Sequence, residues 1–331
     1  MKDTRADKKS RVKLRGIYLF NIILMSVISL VSLCGLLIMI FMPDTYTRRD
    51  VEEAGEEAKA QVLDSLKNDL EQTGDPLEAI RSQYRDYLVV AQNDSYNFYQ
   101  ILDNVPRHNL QEDGFYRDEE GRQAYSDTKG RYSENGLTVT EANGTIDWET
   151  VSDQSIDYAF ISMGRYNSEK YLIEDSRWVE NLTGASEAGL DAGVRITVKI
   201  YDKESGKEQG REVIQKLQEK ASDFRGTVAV LVAEDFGRAS EEQTERTTSG
   251  VVAFCRALDN AGYTPVVAGD LLNLCGLLDL GRLKNYEKWI SDYGNVPYYP
   301  YEFVYWDYGR GSQINGIEGR VFLSMRIRDA S

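Results

Sequence analysis

The chain has 331 residues, 41% of them hydrophobic, and a formal net charge of −15. That length is enough for about two domains. The composition excludes a wholly disordered chain, and the acidic balance argues against nucleic acid as a partner, because neutralising phosphates needs a basic face. Three cysteines cannot build a disulfide framework, and a single histidine, His108, removes most histidine-based catalysis and most zinc sites. Carboxylate chemistry or plain binding is left.

The amino terminus opens with Lys2, Arg5, Lys8, Lys9, Arg11, Lys13 and Arg15 against Asp3 and Asp7. Ile17–Met42 follows without a charged side chain, longer than the about 20 apolar residues that span a bilayer. The run is too long for the core of a cleaved signal peptide and ends at Phe41-Met42-Pro43 rather than at small residues, so it reads as an uncleaved anchor. Residues 1–16 are then a cytoplasmic basic tail and 17–42 a transmembrane signal-anchor helix. By the positive-inside rule the remainder lies outside the cell membrane.

Residues 43–131 read as an extracellular, mainly helical stalk. Val51, Ala54, Ala58, Val62, Leu66 and Leu70 recur at helical spacing between Arg49 and Thr73, with either a coiled coil or a packed spacer as the outcome. Gly74-Asp75-Pro76 stops that helix and starts another, with Asp75 as N-cap, Pro76 in the first position, and Leu77, Ile80, Tyr84 and Leu88 on one face. Phe115–Tyr125 reads as a small hairpin turning at Gly121. His108 falls in a polar loop with no cysteine or second histidine nearby, so no metal site is expected.

From residue 132 to 331 apolar runs alternate with amphipathic stretches. The expected strands are Gly136–Thr140, Tyr158–Met163, Gly193–Ile200, Val228–Glu234, Thr264–Ala268, Lys288–Tyr293, Phe303–Tyr308 and Arg320–Ile327. Helices are expected over Asp175–Ala188, Glu208–Ser222 and Thr244–Ala261. Eight strands with intervening helices suggest an α/β architecture, a parallel TIM-like (β/α) barrel that is irregular where the late strands leave no room for helices; periodicity alone leaves an open doubly wound sheet standing. P-loop, dinucleotide and nucleophile-elbow patterns are absent, and no cofactor is expected. Cys255 and Cys275 read as buried helical thiols.

Gly136-Leu137-Thr138-Val139-Thr140 followed by Asn143-Gly144-Thr145-Ile146-Asp147-Trp148 resembles the opening of glycoside hydrolase family 25, the cell-wall lysozymes (N-acetylmuramidases), with its G-I-D-V-S and Q-G-x-I-D-W patterns. The similarity continues through Ile156–Ile161, Ala188–Val194, Ala261–Pro265, Trp306-Asp307-Tyr308 and Gly316–Val321, in family order across residues 132–331. The resemblance implies an irregular eight-stranded barrel that acts on peptidoglycan glycan strands.

It also implies a catalytic site of carboxylates, one protonating the leaving oxygen while others stabilise the oxocarbenium-like centre. Carried over, the donor glutamate of D-x-E matches Glu234, but its aspartate matches Val232. The aspartate of the first strand matches Thr138. The aspartate and asparagine of the last strand match Phe322 and Ser324. The glutamine of W-Q-Y is Asp307, and the tyrosine of G-V-Y is Arg195. Strand alternation would aim Val232 and Glu234 together into the mouth, with Asp235 facing away. Three lost carboxylates point to a degenerate, peptidoglycan-binding pseudoenzyme. An active muramidase using Glu234 with Asp307 as a second carboxylate is the first alternative, and a scaffold for an envelope protein partner the second. Trp148, Arg195, Tyr299 and Trp306 are the candidate substrate contacts, Tyr299 within the aromatic run Tyr298–Tyr301.

Overall fold

The computed structural model describes residues 21–34, 48–93, 95–234 and 239–329. Packing divides the chain into one unit ending at Gly74 and a second starting at Asp75.

In the first unit, residues 21–34 form a helix, α1, with exposed side chains. The flanks of the expected anchor, 17–20 and 35–42, and the basic tail lie outside the described residues, among which no helix is long and apolar enough to cross a membrane. Helix α2 (Arg48–Thr73) buries no side chain. Exposed ion pairs one turn apart, Arg48–Glu52 (3.0 Å) and Arg49–Glu53 (2.7 Å), decorate its first turns.

The second unit begins with α3 (Pro76–Gln83), whose N-cap Asp75 accepts a bond from the Leu77 amide at 2.8 Å. The helix expected to reach Leu88 ends at Gln83 instead. Leu88 belongs to β1 (Tyr87–Gln92), paired antiparallel with β2 (Ser95–Gln100), and is buried there as a strand residue. The small hairpin forms as expected, with β3 (Phe115–Arg117), β4 (Gln123–Tyr125) and Gly121 at φ 77° in its turn.

The barrel strands are β5 (Tyr132–Val139), β6 (Tyr158–Tyr166), β8 (Asp191–Val198), β9 (Thr227–Val232), β10 (Thr264–Asp270), β11 (Glu287–Ser291), β12 (Tyr305–Ser312) and β13 (Val321–Arg328). The short β7 (Leu172–Glu174) lies on the edge of β6. Spatial order runs β5-β13-β12-β11-β10-β9-β8-β6, and β6 pairs back onto β5, so the barrel is closed. Helices α4 (Trp148–Ser152), α5 (Trp178–Glu187), α6 (Lys203–Lys220) and α7 (Glu241–Asn260) occupy the crossovers of the first half. The all-parallel expectation fails at one strand: β13 is antiparallel to both β12 and β5. A parallel return needs a crossover of a dozen or more residues, and the short link from Ser312 to Val321 permits only a hairpin.

Strand alternation sorts the core into two layers. Tyr158, Phe160, Ala229, Val266, Ala268, Trp289 and Tyr305 fill the barrel, while the larger cluster lies between strands and helices. Aromatic plugs leave no room for side chains opposite them: a Cβ on Gly136 would stand 2.1 Å from the Tyr158 ring, and one on Gly193 2.5 Å from Phe160. Arg326 closes the floor, ion-paired with Glu134 and Asp191.

Residues 75–131, expected to be stalk, pack into the same compact unit as the barrel. The Val89 amide donates to the Tyr298 hydroxyl (3.2 Å), the Leu102 amide to the Tyr301 hydroxyl (2.8 Å), and Arg122 Nη1 to the Gln154 carbonyl (2.6 Å). Arg81 stacks 3.5 Å over the Tyr298 ring. The sequence boundary at 131/132 followed the strand pattern alone. These long-range bonds, invisible to periodicity, move it to 74/75.

Candidate functional site

The carboxyl-terminal ends of the parallel strands, with the start of β13, surround a cavity of about 460 Å³. A larger cavity, about 510 Å³, lies at the opposite end against the segment around His108 and the start of β11. That segment comes from the extension rather than the barrel, and barrel sites are built where strands end. The mouth is therefore the candidate site.

Inward positions are set by register. Thr138 pairs with Phe160 on one side and Phe322 on the other, so Thr138 and Phe322 stand side by side at the mouth. Phe322 is 43% exposed, an uncovered ring where the resemblance would have a carboxylate. Ser324 faces inward below it and accepts a bond from the Tyr158 hydroxyl at 2.9 Å.

Arg195, on β8, and Asp307, on β12, meet across the mouth. Arg195 Nη2 lies 3.1 Å from Asp307 Oδ2, and Nη1 reaches Thr138 Oγ1 at 3.4 Å. The guanidinium sits 4.7 Å over the Trp289 ring. Asp307 is 1% exposed and also accepts from Trp289 Nε1 and Ser291 Oγ, both at 2.8 Å. A carboxylate buried under three donors, one of them cationic, is a structural counter-charge rather than a reactive acid.

Glu234 does not share the mouth with Asp307. On β9 the inward side chains are Ala229 and Leu231, which pack with the barrel filling, whereas Val228, Val230 and Val232 belong to the outer layer. The alternation therefore runs opposite to the sequence expectation: Val232 touches only the cavity rim, and the strand ends there, so its parity no longer governs Glu234. Glu234 Oε2 is held by Lys199 Nζ at 2.9 Å, its amide donates to Asn273 Oδ1 at 2.9 Å, and the residue lines a separate groove of about 370 Å³. Asp235 lies outside the described residues.

The other aromatic candidates are not mouth residues. Trp148 packs on Gly184 in the outer layer, and Trp306, fully buried, alternates outward beside Ile290 while its Nε1 donates to the Asp292 carbonyl. Tyr299 is also fully buried and meets Tyr301 edge-on at 5.3 Å. The Tyr298–Tyr301 run binds the extension rather than presenting a glycan platform.

Sequence reasoning missed Asp270. It ends β10, follows inward Val266 and Ala268 by the same alternation, and is the exposed carboxylate at the mouth among the described residues. Its Oδ1 accepts from the Asn273 amide (2.8 Å) and Nδ2 (2.9 Å), where the helical turn Asn273–Leu277 begins. Extending the predicted strand by two residues would have found it. Tyr293 and Arg310 were also missed; the guanidinium stacks 3.8 Å over the Tyr293 ring on the cavity wall.

The domain is an irregular eight-stranded barrel with one antiparallel closing strand and a cavity at its carboxyl-terminal strand ends. The model for glycosyl hydrolases family 25 matches residues 138–317, more than half of the sequence, and the chain belongs to that family. The modular autolysin LytC of Streptococcus pneumoniae, solved in complex with synthetic peptidoglycan ligand, is similar in fold: 17% identity and a TM-score of 0.50, covering 73% of this chain and 61% of that one. The spore cortex lytic enzyme SleM of Clostridium perfringens superposes with 16% identity and a TM-score of 0.51, covering 60% of this chain and 68% of that one. This chain thus spans less than two thirds of the autolysin. No curated protein matches it.

Proposed function

We propose that this chain is a peptidoglycan-binding family member that has given up hydrolysis, held at the cell membrane by Ile17–Met42 with its barrel outside. The carrying observation is that both candidate acids are paired with a cation, Glu234 with Lys199 at 2.9 Å and Asp307 with Arg195 at 3.1 Å. Thr138 and Phe322 supply no charge at the mouth. Removing one electrostatic stabiliser typically costs about 10²–10³ in rate, and several removed together consume most of a catalytic effect. The cavity nonetheless presents rings fit for saccharide stacking, Phe322 (43% exposed) and Tyr293 (37% exposed). Membership in a cell-wall lysozyme family, and a fold neighbour solved with synthetic peptidoglycan ligand, support the choice of polymer.

The test is co-sedimentation of the full chain with purified peptidoglycan while new reducing ends are counted in the same samples. Sedimentation without reducing ends is expected. Asp270 supports a second reading, a divergent muramidase with a relocated acid, because it is exposed at the mouth. Reducing ends that disappear in Asp270→Asn would establish that reading, and loss in Glu234→Gln would restore the family acid.

A further inference from the structure

We propose that the seam between α6 and α7 is a binding groove for a phosphodiester-linked anionic polymer. The groove shares no lining residue with the mouth, so the inference stands apart from the glycan-binding reading.

The chain is acidic overall, yet this groove of about 360 Å³ is lined by four cations and no acid. Lys203 and Lys207 come from one face of α6, Arg256 from α7, and Arg282 from the link into β11. The helices meet closely there: a Cβ on Gly210 would stand 3.3 Å from that of Ala257, which lines the same groove. Arg282 is held in place, Nη1 donating to Glu245 at 2.7 Å and Nη2 to the Ser249 hydroxyl at 3.0 Å. Lys207 pairs with Glu204 at 3.4 Å, an acid it shares with Arg211 at 3.5 Å. Neither Glu204 nor Glu245 lines the groove. Lys203 and Arg256 are exposed and, among the described residues, have no ion pair or hydrogen-bond partner. Positive charge is therefore in excess inside the groove. At physiological salt the screening length is about 8 Å, so an approaching ligand meets this local field rather than the net charge of the chain. Guanidinium forks take phosphate oxygens in pairs and ammoniums take them as point charges. Four cations delivered by three elements suit successive phosphates of one chain better than a single small anion. A lipid surface fits less well, because faces that dock on membranes set exposed apolar side chains beside their cations. Helices α6 and α7 expose no large hydrophobic side chain.

The experiment titrates the full chain, held in phosphatidylcholine nanodiscs, with polyglycerol phosphate, with polyglutamate of the same charge, and with phosphatidylglycerol vesicles. Polyglycerol phosphate is expected to bind at least about tenfold more tightly than polyglutamate, to weaken with salt, and to lose at least about tenfold in the double variant Lys203→Gln/Arg256→Gln. Arg256→Lys should keep part of the affinity, since it retains charge without the fork. Both positions are exposed and unpaired, so the variants spare the core. Sedimentation with phosphate-free peptidoglycan, unchanged in the double variant, separates loss of this groove from loss of the fold or of the mouth. Equal affinity for polyglutamate, preference for the vesicles over the polymer, or polymer binding that the double variant leaves intact would each overturn the proposal.

Discussion

At the scale of single residues, the decisive feature is where charge has been neutralised. Asp307→Asn leaves Arg195 buried without its counter-ion, and we expect a loss of about 3–5 kcal/mol in denaturant unfolding. Glu234→Gln, whose partner Lys199 is more open to water, should cost clearly less. A second buried cation acts on pH dependence. Lys288 Nζ donates to the carbonyls of Leu283 (2.7 Å) and Tyr286, neither of which bears a charge, and burial pulls its ammonium from the ordinary 10.5 down to about 8. Between those values the unfolded chain holds a proton that the folded chain has shed, so this group's contribution to stability rises with pH from about 8 to 10.5. Unfolding midpoints at pH 7.5 and 9.5 should show wild type gaining roughly 2 kcal/mol relative to Lys288→Met; a constant gap would rule the assignment out.

At the scale of elements, packing geometry sets tolerances that propensity cannot. Helices α6 and α7 approach so closely that a Cβ on Gly206 would stand 2.0 Å from the Gly250 carbonyl oxygen, and one on Gly250 2.2 Å from Ile200 Cγ2. Alanine in a helix interior normally gains up to about 1 kcal/mol over glycine. Here Gly206→Ala should instead lower the thermal midpoint, because overpacking of this kind typically costs about 1–3 kcal/mol. The eight strands themselves were legible in the sequence, since each is an apolar run bounded by turn residues, and the three expected helices match α5, α6 and α7 in place. Strand direction was not legible for β13, because only the length of the preceding link forbids a crossover. Nor was parity on β9, where an unbroken apolar run, Thr227–Val232, gives no alternation from which to choose the inward face.

At the scale of the whole molecule, the compact unit from Asp75 onward carries both the barrel and its clamp of extension residues. Deleting residues 1–42 should move the protein from the membrane to the soluble fraction on cell fractionation, because the Ile17–Met42 run supplies the apolar length a bilayer requires. Retention of the truncated chain at the membrane would place the attachment elsewhere. Sequence by itself determined the family, the strand count and the uncharged side chains at 138 and 322, since motif order, hydrophobic runs and residue identity are one-dimensional properties. Tertiary structure decided the rest: that Arg195 consumes Asp307 and Lys199 consumes Glu234, that Asp270 and Arg310 share the mouth, and that residues 75–131 belong with the barrel. Each of those is a contact between segments far apart in the chain, and pairing at a distance is set by how the closed barrel brings strand ends together rather than by any local pattern.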